Sequence, residues 1–178
     1  MKKSFFRQTG FTLIEMMIVI FIISLLSVMI LADYKKSQKK YILINSVQQL
    51  VSDIHKAQNV AMSGTDISEN NYYGYGVYFQ SVSVTSYIIF ADKNGSKKYD
   101  SSDDIIQIVN LPLDVKIKSI SVTPLHIFFA PPAPDTYING SHDDGVYGTI
   151  TLEVESAGLS MSVNVSTSGL VQQGNIAQ

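Results

Sequence analysis

Hydrophobic and polar positions divide this chain into three successive patterns, of which the first is almost entirely apolar. Between Phe11 and Ala32 the only charged residue is Glu15. A helix of this length rises about 33 Å, which is enough to cross a hydrocarbon core of ~30 Å. The run is too long for a secretory signal sequence, and no small-residue cleavage site follows it. The pattern therefore predicts a membrane-spanning helix.

The second pattern has the period of an amphipathic helix. Apolar residues recur in steps of three and four on one predicted face, namely Leu43, Val47, Leu50, Ile54, Ala57 and Ala61. Neither proline nor glycine occurs from Phe11 to Ser63, and Gly64 is a natural C-terminal stop. These features predict one continuous helix, whose apolar stripe needs the downstream residues as its partner.

The third pattern alternates with period two and predicts strands joined at short spacing. The predicted strands are Tyr73 to Phe79, Tyr87 to Ala91, Ile105 to Val109, Val115 to Val122, Leu125 to Ala130, Gly148 to Glu155, Leu159 to Val165 and Leu170 to Gln172. A polar linker precedes them, and residues 131–147, which hold three of the five prolines, are predicted to be a long exposed loop. The fold class is therefore α+β, with a long N-terminal helix packed on an antiparallel β-sheet domain.

Composition excludes several classes of function. The net charge is −2, and Arg7 is the only arginine. Beyond residue 100 the lysines are Lys116 and Lys118 alone, which disfavours a nucleic-acid binder with a basic stripe. Because the chain has no cysteine, it has no disulfide and no thiolate metal site.

Candidate catalytic and metal-binding chemistry is sparse. The acidic stretch from Asp92 to Asp104 lacks the glycine and glutamate spacing of a calcium loop and is interpreted as a hairpin turn with solvated carboxylates. Hydrolase, zinc-protease and phosphate-loop motifs are absent, and His55, His126 and His142 show no informative spacing. We expect neither an enzyme nor a bound cofactor or metal.

The junction before the apolar run carries the most specific motif. Lys2, Lys3 and Arg7 precede Gly10-Phe11-Thr12-Leu13-Ile14-Glu15, and this order resembles the class III signal of type IV pilins and pseudopilins. The resemblance implies that a prepilin peptidase cuts between Gly10 and Phe11 on the cytoplasmic side, and that Phe11 is then N-methylated. It also implies that Glu15 acts in assembly, paired with the N-terminal ammonium of a neighbouring subunit. A carboxylate within a membrane helix costs roughly 2.5–3.5 kcal/mol at mid-bilayer, so it marks a functional site by default.

The β region extends the resemblance to one part of that family. Tyr75-Gly76-Val77-Tyr78, the segment from Tyr87 to Gly95 and the segment from Val163 to Val171 resemble H-type minor pseudopilins and FimT/FimU-type minor pilins, the GspH/FimT family. Some FimT-like pilins bind DNA through a basic C-terminal region. Here that region holds Gln172, Gln173, Asn175 and Gln178, which argues against direct DNA binding.

The resemblance implies a four-part organisation and a structural role. Residues 1–10 form the cleaved leader, 11–32 the transmembrane and filament-core helix, 33–63 its amphipathic continuation, and 64–178 the globular β domain. The protein is expected to be a minor pilin or pseudopilin in a type IV pilus or type II secretion pseudopilus, at or near the filament tip. Its expected partners are other pilins, the prepilin peptidase and methyltransferase, and the inner-membrane assembly platform. Its expected location is the inner membrane, with a cytoplasmic leader and a periplasmic or extracellular domain, and then the filament.

Two other functions remain open at this stage. One is a pilus-tip binding module, either an adhesin or a DNA receptor, that uses the 131–147 loop. The other is a membrane-anchored enzyme of unrelated chemistry. The sequence also leaves open whether the filament belongs to a type II secretion system, a type IV pilus or a competence system.

Overall fold

The computed structural model describes residues 10–63, 72–131 and 135–177, and divides the chain into two units, Met1–Gln38 and Lys39–Gln178. The predicted leader up to residue 9, the Gly64 helix stop, the polar linker to Asn71 and residues 132–134 of the predicted loop lie outside the described residues.

A single helix, α1, runs from Leu13 to Ser63 and confirms the predicted continuity. In the second unit its predicted stripe is buried, with every member at most 2% exposed: Leu43, Val47, Leu50, Ile54, Ala57 and Ala61. Burying one leucine or isoleucine side chain contributes roughly 1.5–3 kcal/mol, so this stripe is the main attachment of α1 to the β domain.

Within the described residues, nine strands follow the helix. They are β1 (Gly74–Phe79), β2 (Ser86–Asp92), β3 (Asp104–Asn110), β4 (Val115–Ile120), β5 (Leu125–Ala130), β6 (Asp135–Ile138), β7 (Tyr147–Val154), β8 (Leu159–Ser166) and β9 (Val171–Gln173). They form a five-stranded sheet in the order β3-β2-β1-β5-β6 and a four-stranded sheet in the order β4-β7-β8-β9. All pairings are antiparallel, so the predicted α+β class, with a long helix on antiparallel sheet, is confirmed.

Two features differ from the sequence interpretation. The strands form two sheets, because β1 pairs with the distant β5 and the intervening β4 joins β7 instead. The interpretation of residues 131–147 as a loop was wrong for Asp135–Ile138, which pairs with β5. Four residues next to prolines are too few to show an alternating pattern, which is why this strand was missed.

The hydrophobic core is shared by the helix stripe and both sheets. Its members include Leu50 from α1, Ile127 from the first sheet, and Leu152 and Val163 from the second, each fully buried. A polar contact adds to the helix attachment, since the buried Tyr87 hydroxyl donates to Asp53 Oδ2 at 2.7 Å. Burial, and then the Asp53 hydrogen bond and charge, raise the pKa of the Tyr87 phenol far above its ordinary value.

Two glycines of β1 make room for aromatic rings on the first sheet. A Cβ at Gly76 would lie 2.6 Å from the Phe90 ring and 2.6 Å from the Ile127 carbonyl oxygen, and a Cβ at Gly74 would lie 2.5 Å from the Phe128 ring. Phe90 and Phe128 are themselves buried and stack with centroids 6.5 Å apart. The glycines therefore allow the two rings to lie against the strand backbone.

We predict that Gly76→Ala lowers the free energy of unfolding by about 1–3 kcal/mol, because the new methyl group overpacks a site closed by a ring and a backbone carbonyl. Thermal unfolding of the full chain in detergent, followed by tyrosine near-ultraviolet circular dichroism, measures the effect.

Gly148→Ala is the matched control. Gly148 also lies in a strand, but its nearest neighbour to a Cβ is a leucine methyl at 3.4 Å, an ordinary contact. Equal loss of stability in the two variants would contradict the role given to Gly76.

Candidate functional site at the N-terminal junction

The residues on both sides of the predicted cleavage bond are open to solvent. Gly10 and Phe11 precede the first helical residue, Leu13, and apart from its chain neighbours no described residue has an atom within 4 Å of a Cβ built at Gly10. The Phe11 side chain is 78% exposed. Gly10, Phe11, Thr12 and Glu15 together line one shallow recess. The structure thus brings the three predicted site residues, Gly10, Phe11 and Glu15, to one place.

Thr12 and Glu15 form a reciprocal cap on the start of α1. The Glu15 backbone N–H donates to Thr12 Oγ1 at 3.3 Å, and the Thr12 backbone N–H donates to Glu15 Oε2 at 3.4 Å. This is a capping box, which satisfies two backbone donors that the first turn of a helix leaves unpaired. Glu15 also lies where the positive end of the helix dipole favours a negative charge. The sequence interpretation missed this role of Thr12, although the threonine and glutamate three residues apart are its signal.

The first unit exposes a continuous apolar surface. Every large apolar side chain from Phe11 to Leu31 is between 44% and 79% exposed. By length and composition, α1 contains a segment able to cross a membrane, and none of that segment is buried in the protein. A surface of this kind requires lipid or other apolar helices as its surroundings.

Within this apolar segment the other polar side chains bond to the helix itself. Ser24 Oγ donates to the Ile20 carbonyl at 2.7 Å, and Ser27 Oγ donates to the Ile23 carbonyl at 2.8 Å. Glu15, in contrast, has only the long bond to Thr12, and Oε1 has no partner within residues 10–63, 72–131 and 135–177. Glu15 is therefore the side chain in this segment whose charge has no opposite charge beside it among the described residues, and such a charge is costly in apolar surroundings.

The lysines after the apolar segment are not equivalent. The sequence suggests that Lys35, Lys36, Lys39 and Lys40 contact lipid headgroups, acidic groups of other subunits, or solvent. Lys39 instead forms an ion pair with Asp114, whose carboxylate also accepts from the Ser156 hydroxyl. The Lys39 hydrogen bond, followed by that of Ser156, lowers the pKa of Asp114 below its ordinary value. Lys39 thus joins α1 to the β3–β4 and β7–β8 connections.

The acidic stretch after β2 is organised by backbone amides. Buried Asp92 accepts from the amides of Asn94, Gly95 and Lys97, at 2.8–3.0 Å. Asp103 accepts from the amides of Lys93 and Asp100. The carboxylates thus hold a turn, and among the described residues no group of three acidic or histidine side chains could hold a metal ion. The Ser102 hydroxyl, and then Asn94, lower the pKa of Asp100 to about 2.

His126 supports the same connection from β5. Its Nδ1 accepts from the Tyr99 backbone N–H at 2.9 Å, so the neutral ring carries its proton on Nε2. The ring is 7% exposed and lies 4.8 Å from the Tyr78 ring centroid. Burial, and then the charge of Lys98, lower the pKa of His126 below its ordinary value.

The two lysines beyond residue 100 have acidic partners. Lys116 Nζ lies 2.9 Å from Glu155 and 3.7 Å from Glu153, and Lys118 Nζ lies 3.3 Å from Glu153. Charges already paired within the protein are less available for phosphates. The ion pairs of Lys116 and Lys118 therefore do not support a DNA interface at these two lysines.

Comparison with known protein families finds a match at the N-terminal end of the sequence. Residues 5–31 match the prokaryotic N-terminal methylation motif, a type IV pilin-like signal. The match covers the junction and most of the apolar segment and supports a pilin- or pseudopilin-like precursor. It does not extend into the β domain. No curated protein and no solved structure matched the chain.

We predict that the stability of the β domain decreases as the pH falls below about 6.5, the ordinary pKa of histidine. Because the pKa of His126 is lower in the folded state, the folded state binds fewer protons than the unfolded state in this range. The free energy of unfolding then falls by up to about 1.4 kcal/mol per pH unit, until the folded pKa is reached. Denaturant unfolding of the full chain between pH 5 and 7.5 measures the slope.

His126→Gln keeps an acceptor for the Tyr99 amide and should flatten this slope. The control is His55→Gln, because His55 is exposed on α1 and bonds only to Gln58. An unchanged slope in His126→Gln would contradict the assignment.

Proposed function

We propose that the protein is a minor pilin or pseudopilin, a structural subunit of a type IV pilus or type II secretion pseudopilus. It enters the filament through the apolar half of α1, at or near the filament tip, and its resemblance to the GspH/FimT group supports the minor-subunit role. The observation that carries the proposal is the match of residues 5–31 to the methylation motif, together with an exposed apolar segment from Phe11 to Leu31 whose single charge is Glu15.

The proposed processing follows from the same segment. Residues 1–10 are a leader that a prepilin peptidase removes by cutting between Gly10 and Phe11, after which Phe11 is N-methylated. The openness of Gly10 and Phe11 supports this, because a peptidase needs an accessible bond. Residues 11–32 then cross the inner membrane and later line the filament core.

The remaining chain forms the part outside the membrane. In this proposal residues 33–63 continue the helix as an amphipathic segment and residues 64–178 form the globular domain, on the periplasmic or extracellular side. The membrane assembly platform and the other pilins of the filament are its partners. The buried stripe of α1 supports this arrangement, because it fixes the domain to the same helix that enters the filament.

Glu15 has a proposed role in setting the position of the incoming subunit. Cleavage gives Phe11 a positively charged amino group, and Glu15 offers a carboxylate without a charged partner among the described residues. A carboxylate in an apolar assembly is costly unless it is paired. Pairing with the amino group of a neighbouring subunit removes that cost at one register only.

We predict that Gly10→Val prevents removal of the leader when the protein is expressed with the peptidase and methyltransferase of a pilus system. The intact mass should retain residues 1–10, whereas the native chain should lose them and gain one methyl group. Thr9→Ala, which alters the preceding leader residue only, should still be processed. A mature mass for Gly10→Val would contradict the proposed cleavage position.

We predict that Glu15→Ala and Glu15→Gln both insert into the membrane but reduce the incorporation of the subunit into filaments by about tenfold or more, the loss expected for an unpaired buried charge partner. Quantitative immunoblotting of sheared filaments and membrane fractions measures the two pools.

The glutamine variant separates charge from capping. Glutamine at this position can complete the capping box but carries no charge. Thr12→Ala, conversely, removes half of the cap, at about 0.5–2 kcal/mol, and keeps the carboxylate. Normal assembly of Glu15→Gln together with failed assembly of Thr12→Ala would show that only the cap matters and would refute the register role.

A further inference from the structure

Three of the four sheet edges in the described β domain are protected against pairing with another chain. β6 and β9 are only four and three residues long. β4 is longer, but its outer side is already bonded, because Ile117 N–H donates to the Val84 carbonyl and Ser83 N–H donates to the Ile117 carbonyl. Short edges and covered edges are the usual ways in which proteins avoid unwanted strand addition.

The fourth edge, β3, is neither short nor covered by another described segment. It is seven residues long, lies at the end of the five-stranded sheet, and contains neither lysine nor proline. Ile105, Ile106 and Ile108 are 47%, 48% and 54% exposed. Among the described residues no backbone hydrogen bond reaches its outer side, since its ladder partners all belong to β2.

An apolar recess adjoins this edge. Its lining residues are Lys56, Ala57 and Val60 of α1, together with Tyr75, Ile89 and Ile106. The pairing of β2 with β3 shifts by one residue between Ile105 and Gln107, so Ile106 is the extra residue of a bulge. The four pairs from Gln107 to Asn110 remain in regular register, so four consecutive residues of this edge follow the bulge without a further shift.

Lys56 gives the recess a charge preference. Its side chain is exposed, and it forms no ion pair or hydrogen bond within the described ranges, whereas Lys39, Lys93, Lys116 and Lys118 all do. A cation without an acidic partner beside an apolar recess favours an apolar occupant with a carboxylate.

We propose that β3 is a docking edge for an extended, apolar segment of another protein chain that carries a carboxylate. The segment adds a sixth strand to the five-stranded sheet, places an apolar side chain in the recess beside Ile106, and sets its carboxylate opposite Lys56. Main-chain hydrogen bonds supply affinity in such strand addition, and the side-chain pocket and the charge supply selectivity. This surface belongs to the β domain and is separate from the filament contact proposed for the apolar half of α1.

The β2 sequence itself, Ser86–Asp92, is a suitable probe. It already pairs with the inner side of β3, is largely apolar, and ends in an aspartate. A fluorescent synthetic peptide of this sequence, with a soluble glycine-serine tail, is titrated with the full chain in detergent micelles and followed by anisotropy. We expect saturable binding, and amide hydrogen exchange should slow in β3 when the peptide is bound.

Two variants locate the binding site. Ile108→Lys places a charge on the edge and should weaken peptide binding about tenfold, as expected when a central apolar contact is lost. Lys56→Gln should weaken it about threefold, in the range of an exposed ion pair, and should remove its dependence on the peptide's aspartate. The peptide with that aspartate replaced by asparagine should bind both forms of the protein equally.

Matched controls separate these effects from general changes of surface. Val122→Lys introduces the same charge at a residue that is also 54% exposed but lies outside the strands. Lys40→Gln removes another exposed lysine of α1 without an ion pair in the described structure. Both controls should bind the peptide as the native chain does.

Three results would overturn the proposal. They are absence of peptide binding, equal weakening in the variants and their controls, or binding without slower exchange in β3. Self-association of the chain that Ile108→Lys abolishes, in the absence of peptide binding, would also overturn it and would assign the edge to a second copy of this chain.

Discussion

The structure depends on one helix that has to be stable in two different surroundings. From Leu13 to Ser63 α1 has no break, yet its first part is apolar on all sides and its second part has a single buried stripe. The stripe packs against residues of the two sheets, whereas no described residue buries the apolar side chains of the first part. The same stretch of chain thus connects an exposed apolar surface to a domain that folds around its own core.

Polar groups in the apolar first part of α1 are mostly hydrogen-bonded within the helix, as apolar surroundings require. Two serine hydroxyls bond back to the helix, and Thr12 and Glu15 cap its first turn, so few polar groups remain exposed to an apolar environment. Beyond it, Lys39 bonds to Asp114 and Tyr87 bonds to Asp53, which adds two polar contacts to the apolar attachment of the helix. Apolar area supplies most of the stability, and the polar pairs define position.

The sequence predicts those elements whose signal is local and repeated. The stripe from Leu43 to Ala61 repeats over several turns, and burial alternates along all eight residues of β7, so both were identified from the pattern. Asp135–Ile138 was missed because it is short, and the split into two sheets was missed because β1 and β5 pair across about fifty residues of chain. The Lys39–Asp114 pair spans 75 positions, and no local pattern predicts it. At the junction, Gly10, Phe11 and Glu15 belong to a recognisable motif, whereas the capping box of Thr12 and Glu15 was missed although its spacing is visible in the sequence.

The capping box has a consequence for the order of events at the membrane. It uses the backbone nitrogen of Thr12, one residue beyond the bond that the proposed cleavage would break, so its two hydrogen bonds require no atom of the leader. The first turn of α1 can therefore keep its conformation through removal of residues 1–10, and the Glu15 carboxylate is held at the helix end before any neighbour arrives. A subunit released from its leader would then join a filament with its Glu15 carboxylate already oriented. The conformational entropy of that side chain would be lost during folding rather than during assembly.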